Sequence, residues 1–273
     1  MRIDVCCPQR SNIRMKSFKL FLLCLIPFAN SASAEAKPQT IVFVLAEREY
    51  KTAETVPAFY EKHLKPLGFA AKYVTAPPSG PERDNLKGLD TVLKDADLVF
   101  LSVRRRAPKA EQLKAIQKYI ADGKPLVGIR TSSHPFDIRK GDSPKGHAQW
   151  KTFDPDVLGG SYNGHHGKQK THWKIEEAAK DHVILKGVSL ESQLTGGSLY
   201  RSAPLGKSTT ALATGTAEGI ETSQPVAWTN KPKSGNRIFY TSLGHVSDFE
   251  NEHFVKMLTN AVLWATNTKA PCQ

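Results

Sequence analysis

Cysteine is nearly absent from this sequence. Four occur in 273 residues, at positions 6, 7, 24 and 272, too few for a domain stapled by disulfides. Long apolar runs are also scarce. The first, Leu20–Phe28, falls short of the roughly 20 apolar residues that a bilayer crossing needs. No internal repeat or low-complexity tract appears, which sets aside solenoid, fibrous and disordered classes. No dense basic block is interleaved with aromatics, and Arg104-Arg105-Arg106 is too short to indicate a nucleic-acid interface. No His-Glu-x-x-His spacing is present either, so no zinc site announces itself. What remains is an ordinary globular composition, 40% hydrophobic and 23% charged. Its length is compatible with one α/β domain.

The N-terminus has the pattern of an export signal. Lys16 and Lys19 precede the apolar run, and Ser31-Ala32-Ser33-Ala34 follows it, which places cleavage after Ala34. Met15 stands just before the basic flank, so residues 1–14 are read as a mis-assigned start. The expected boundaries are a signal peptide over 1–34, a linker over 35–39, a domain over 40–268 and a tail over 269–273. The mature protein is expected in the periplasm or outside the cell. Losing Arg2, Arg10, Arg14, Lys16, Lys19 and Asp4 lowers the net charge from +12 to +8. Only Cys272 remains, which excludes an internal disulfide and a cysteine nucleophile. The positive balance favours acidic small-molecule or oligosaccharide partners.

Within the domain, Ile41–Ala46, Phe69–Thr75, Asp97–Val103 and Pro125–Ile129 read as buried strands. A helix carrying Val56, Phe59, Tyr60 and Leu64 is expected between the first two, with Pro57 in its first turn. A second helix starts near Pro108, carries Leu113, Ile116 and Ile120, and stops at Gly123. Strands alternating with helices predict a doubly wound, mostly parallel sheet. Asp137–Gly167 reads as long loops. Further strands are expected at Thr171–Glu176, Thr210–Ala213, Val226–Thr229 and Arg237–Leu243, antiparallel in character. A closing helix carries Phe254, Leu258, Ala261, Val262 and Ala265.

Ligands of parallel sheets bind outside the carboxyl ends of the strands. The segments there are Glu47–Tyr50, Arg104–Arg106, Arg130–His134 and Gly244-His245, with the glycine- and histidine-rich loop Gly159–Gly167 beside them. Glu49 is a candidate base, Tyr50 a group that stacks on or hydrogen-bonds a sugar, and Arg104 part of an anion site. His165 and His166 are candidates for substrate binding or for a divalent metal. The structural alternatives are plain. Arg130 could pair with Asp137 or Asp156, and Arg104–Arg106 could be a solvated loop. Trp228 and Trp264 read as core, whereas Trp150, in the irregular loop, is a candidate sugar platform.

Five segments taken together resemble the ThuA-like, trehalose-utilisation, family. They are Val127–His134, Val157–Gly160 with His165-His166, Val226–Thr229, Arg237–His245 and Ala261–Ala265. The resemblance covers nearly all of Thr40–Thr266. It implies an α/β fold like that of class I glutamine amidotransferases (flavodoxin-like) and a place in carbohydrate catabolism. By that likeness, Gly128-Ile129-Arg130 occupies the elbow where amidotransferases carry Gly-Ile-Cys, and His245 matches their catalytic histidine. Ser247 takes the place of the triad carboxylate, with Asp248 one step beyond. Tyr200 matches the tyrosine of an Asp-Glu-x-Tyr segment in which Gly197 and Ser198 replace the acids.

A guanidinium cannot attack a carbonyl, so glutaminase chemistry is excluded. Arg130 can instead hold an anion or stabilise an oxyanion, while His134 and His245 can move protons near neutral pH. The expectation is an isomerase, lyase or hydrolase acting on a sugar or oxidised sugar, with Arg130, His134 and His245 as catalytic residues. The alternatives are a non-catalytic sugar- or anion-binding protein and a metal-dependent hydrolase built on His165 and His166.

Overall fold

The computed structural model describes residues 37–269. The expected signal peptide, its cleavage point, the start at Met15 and Cys272 lie outside the described residues. Nine strands form a single sheet: β1 Thr40–Ala46, β2 Ala70–Thr75, β3 Leu98–Val103, β4 Leu126–Ile129, β5 Thr171–Ile175, β6 Gln193–Thr195, β7 Thr209–Ala217, β8 Ile220–Asn230 and β9 Ile238–Thr241. Their order is β2-β1-β3-β4-β9-β8-β7-β5-β6. From β2 to β9 every pairing is parallel. From β9 to β6 every pairing is antiparallel. β9 is the junction between the two halves.

Every residue of β1, β3, β4 and β9 is buried, because helices cover both faces of this part of the sheet. The side chains alternate accordingly. Ile41, Phe43, Leu45, Phe100, Val127 and Phe239 enter one core. Val42, Val44, Val99, Leu101, Leu126 and Tyr240 enter the other. Helix α1, Thr52–Phe59, and helix α4, Glu252–Thr266, close the first core through Val56, Phe59, Phe254, Leu258 and Val262. Between β2 and β3 lies the short helix α2, Leu89–Val92. With Leu89 from α2, helix α3, Ala110–Ala121, closes the second core through Leu113, Ile116 and Tyr119.

Local chemistry sets where these helices begin and end. The Glu47 carboxylate accepts hydrogen bonds from the backbone amides of Tyr50 and Thr52 and from Thr52 Oγ1, each at 2.8 Å. It therefore starts α1 at Thr52 and places Pro57 one turn deeper than the sequence pattern predicts, inside the helix. A wide, five-residue turn follows over Tyr60–Leu64. α3 stops at Gly123, which adopts φ 78, a conformation glycine enters without strain. On α3 the buried stripe runs through Tyr119, and Ile120 is only half-buried.

The irregular stretch 137–167 is anchored to the antiparallel half. Trp228 Nε1 donates to the Leu158 carbonyl at 2.7 Å, and Asn230 Nδ2 donates to that of Val157 at 2.9 Å. Both residues lie on β8, so this segment is fixed over the carboxyl ends of the parallel strands. Among the described residues, no helix is long and apolar enough to cross a membrane.

Candidate functional site

Three of the four described non-glycine residues with left-handed backbone stand just beyond the carboxyl ends of parallel strands. Lys51 (φ 51) follows β1, Arg105 (φ 49) follows β3 and Arg130 (φ 47) follows β4. Such backbone costs on the order of 1 kcal/mol or more per residue, and in folded proteins it gathers at sites that hold a side chain in one required direction. After β9, Gly244 takes φ 115. The chain is thus bent sharply at each central strand exit.

At the β4 exit this bend turns Arg130 inward, where it is 2% exposed. Its Nη1 donates to the carbonyls of Ser242 at 2.6 Å and Ser198 at 3.0 Å. Its Nη2 reaches Ser198 Oγ at 3.3 Å and the Tyr50 hydroxyl at 3.4 Å. The guanidinium carbon lies 4.2 Å from the centre of the Tyr200 ring and 4.8 Å from that of Tyr50. Nε has no partner. Among the described residues no carboxylate lies within ion-pair distance of Arg130. Asp137 instead pairs with Arg105 at 3.2 Å, and Asp156 accepts from Trp150 and Thr152. A buried cation held only by carbonyls, hydroxyls and ring faces retains an uncompensated charge.

The same geometry accounts for the departures around Tyr200. A side chain at Gly197 would place its Cβ 2.8 Å from the Arg130 guanidinium. Ser198 supplies two of that group's acceptors. Gly197 and Ser198 are therefore the local complement of Arg130.

Most of the sequence-derived candidates meet around this cation. The His245 ring sits edge-on to Tyr50 at 6.1 Å between centres. On the other side, Tyr200 contacts Tyr162 at 4.8 Å, and Tyr162 stacks on His134 at 4.4 Å and 17°. His165 packs near Tyr200 at 6.3 Å. The series His245, Tyr50, Arg130, Tyr200, Tyr162, His134 is one continuous body of rings and charge. Glu49 stands beside it in an ion pair with Arg104 at 3.0 Å. His166 stands apart, its amide bonded to the Leu199 carbonyl. Among the described residues, no group of three or more His, Cys, Asp or Glu is placed to hold a metal ion, so the histidine pair lacks the ligand set that a zinc site requires.

Two histidines have unlike surroundings. His245 Nδ1 lies 2.9 Å from Ser247 Oγ and accepts from the Ser247 amide at 3.3 Å. An amide can only donate, so in the neutral ring the proton resides on Nε2. Asp248 supports the main chain rather than the ring, accepting from the amides of Gly244 and His245 and from Thr195 Oγ1. His134 is 6% exposed. Burial, reinforced by Arg105, Arg104, Arg139 and Arg130, pushes its pKa down to about 2. The expectation that His134 titrates near neutral pH therefore fails in this environment, where it is a neutral hydrogen-bonding and stacking group.

A cavity of about 930 Å³ opens beside this body, within the range of small-molecule sites. His134, Tyr162, His165 and Trp150 line it, with Asp154 in its wall. Arg105, Arg139, Lys140, Lys151 and Arg201 make its rim strongly cationic. Asp154 was not singled out from sequence. It is 5% exposed, one oxygen accepts from the Tyr162 amide at 2.7 Å, and the other has no partner. Burial raises its pKa to about 6. The signal lay in Gly160, where a Cβ would fall 2.6 Å from Asp154 Oδ1, although the sequence alone does not say what approaches that glycine. Arg106 is a correction of another kind. It is 2% exposed and bonds the carbonyls of Ala46 and Arg83, so the arginine run is not a solvated loop.

Comparisons with known proteins agree with this architecture. A family model described as ThuA, trehalose utilisation, matches residues 40–265. No curated protein matches. Among solved structures, a putative ThuA-like protein from Parabacteroides merdae is similar at a TM-score of 0.57 and 16% identity, covering 87% of this chain and 93% of that one. The mmIFT52 N-terminal domain is similar at a TM-score of 0.52 and 13% identity, covering 86% and 100%. At these identities the likeness is one of fold. A glutamine amidotransferase from Methylobacillus flagellatus stands further off, at a TM-score of 0.42 and 8% identity over 85% of this chain and 92% of that one.

Two outcomes follow from the packing and the charge. Gly197→Ala should destabilise the protein by about 1–3 kcal/mol through overpacking against Arg130. In an Arg130→Ala background it should cost less than half as much, as read by denaturant unfolding of the four-member cycle. His134 binds its proton in the unfolded chain near pH 6.5 but not in the native state until about pH 2. Between those values the unfolded state holds more protons, so stability falls as pH falls, by up to about 1.4 kcal/mol per unit. Asp154, whose pKa is raised to about 6, contributes the opposite slope in both proteins, so the melting temperature of His134→Phe should rise relative to wild type as pH falls from 6.5 to 4.5. An unchanged slope would mean that another group governs acid lability.

Proposed function

The chain belongs to the ThuA, trehalose-utilisation, family, and from that premise we propose an exported enzyme of carbohydrate catabolism that acts on a sugar or oxidised sugar by proton transfer. The export part of this reading is supported by the basic flank Lys16 and Lys19, the apolar run Leu20–Phe28 and the small residues ending at Ala34. The observation that carries the chemical part is the cavity at the strand exits, which is lined by the aromatic side chains of Tyr162, His134 and Trp150 with Asp154 and Arg105 alongside. Flat ring faces beside fixed polar groups suit the alternating apolar and hydroxylated faces of a pyranose.

In this reading the labour is divided by environment. Asp154, with its pKa near 6, is the carboxyl group able to take up and release a proton close to neutral pH. His245 stands at the far end of the ring series from the cavity and does not line it; in this reading it acts through Tyr50, as a positioning residue. Arg130 is a positioning residue: it orients the Tyr50 and Tyr200 phenols and keeps a permanent positive charge where an enediolate or oxyanion develops. His134 fixes Tyr162 by stacking and exchanges no proton.

The test is a mass-spectrometric time course with plain and 3-oxidised disaccharides. A new product mass is expected with the wild type. Asp154→Asn should lower kcat by about 100-fold or more, the usual size of a general acid–base contribution, and His245→Ala by less. Arg130→Lys, which keeps the charge but not the planar fork, should lower kcat with KM little changed. For a reaction in which Asp154 acts as base, kcat/KM should rise with pH through about 6, and Asp154→Asn should remove that limb. No product from either sugar, together with thermal stabilisation by one of them, would overturn the enzyme in favour of a sugar-binding protein.

A further inference from the structure

A second concave surface adjoins the cavity and has a different character. Arg105 and Arg139 line both. Beyond them a groove of about 370 Å³ is bounded by Arg48, Arg83 and Arg104, with Glu49 as its acidic member. It continues into a recess of about 270 Å³ that Arg106 closes, with Glu47 at its edge. Six guanidinium groups from four separate segments converge here.

The carboxylates nearby do not neutralise them. Glu47 is consumed by the amides that start α1. Glu49 pairs with Arg104, Asp84 with Arg83 and Asp137 with Arg105. Among the described residues, Arg48, Arg106 and Arg139 have no ion-pair partner. Arg48 and Arg139 are exposed and free to turn onto a ligand. Arg106 is 2% exposed, with Nε and Nη1 tied to the Ala46 and Arg83 carbonyls at 2.9 and 2.7 Å. Its charge is buried, fixed in direction and unmatched. The Arg105 Nε is likewise buried without a partner, on a backbone held left-handed. Placing a fixed cation such as Arg106, without an ion-pair partner among the described residues, at the wall of a recess is unfavourable unless an anion occupies it.

We propose that this groove is an anion subsite that binds a sulfate half-ester or carboxylate on an acidic oligosaccharide while another residue of the same molecule occupies the cavity. The inference rests on the sugar reading of the cavity and supplies its substrate class. Guanidinium groups present planar paired donors that match the oxygens of either group. The groove lining contains no aromatic side chain, so nothing in it offers the base-stacking surface of a single-stranded nucleic-acid site. The shared arginines, Arg105 and Arg139, set the acidic group next to the cavity rather than at a remote surface.

The experiment is calorimetric binding to the full chain of a sulfated tetrasaccharide, a uronate-bearing tetrasaccharide, the desulfated counterpart and a single-stranded DNA oligomer of equal charge. The wild type and Arg48→Gln/Arg139→Gln are compared. Both substitutions are exposed and unpaired, and an unchanged melting temperature checks the fold. Binding of a sulfated or uronate-bearing sugar, weakened at least tenfold in the double variant and by added salt, is the expected result. Which of the two binds identifies the anion. Equal binding by the double variant, or DNA binding as tight as the acidic sugar, would overturn the proposal. Turnover separates the two readings. Neutral disaccharides consumed equally by wild type and double variant, with no acidic sugar bound, would defeat the subsite alone. Acidic sugar bound through these arginines, with no product from any sugar, would defeat the enzymatic reading alone.

Discussion

The guanidinium of Arg130 is the constraint around which the site is arranged. It sits 2% exposed at the end of β4, on left-handed backbone, with no carboxylate in reach among the described residues. Its position is fixed by two main-chain carbonyls from different parts of the chain, Ser198 and Ser242, and by two tyrosine faces. Tyr240 adds a bond from its hydroxyl to the Arg130 carbonyl at 2.6 Å. These contacts join β4, β9, the turn after β1 and the segment before β7. A side chain at position 197 would compete for the same space, and Ser198 supplies two of the acceptors. The local sequence around Tyr200 is therefore a consequence of the arginine at the elbow.

Charge follows from that placement. Burial, reinforced by cations from the β3 exit and the irregular segment, holds His134 neutral, while Asp154 in the same cavity retains its proton to about pH 6. A histidine that cannot be charged and a carboxyl group that ionises late are both consequences of removing groups from water. The surface outside continues the cationic character through Arg139 and Arg48. A site of this kind selects against cationic ligands and draws in anionic ones, over distances limited to about 8 Å at physiological salt.

The central strands of the parallel half were legible because they are buried on both faces and so read as unbroken apolar runs, as in Ile41–Ala46; β2, at the sheet edge, is largely unburied. Glycines and prolines marked the helix ends. β6 was not legible: Gln193–Thr195 is short, leaves Leu194 exposed and pairs with β5 alone. β7 and β8 extend further than their apolar centres because their outer turns carry polar residues and register shifts. In the site, strand-end position brought Arg130, His245 and Tyr50 into view, the family resemblance added Tyr200, and these do meet. Asp154 and Tyr162 escaped notice because they lie in a segment without periodicity, and their placement depends on Trp228 and Asn230 holding that segment from β8. The depression of His134 comes first from burial and then from arginines distant in sequence, neither of which a local pattern reveals.

The account's central claim is that Arg130, though buried, belongs to the ligand site through Tyr50 and Tyr200. The most direct measurement follows the side-chain Nε–H resonances of arginine in the full chain while a disaccharide that stabilises the protein is added. The Arg130 signal is assigned as the one lost in Arg130→Lys. The account predicts that it shifts on saturation together with the indole N–H of Trp150 in the cavity wall. A shifted Trp150 signal beside an unmoved Arg130 signal would show that ligand binding leaves Arg130 untouched, and would contradict the account.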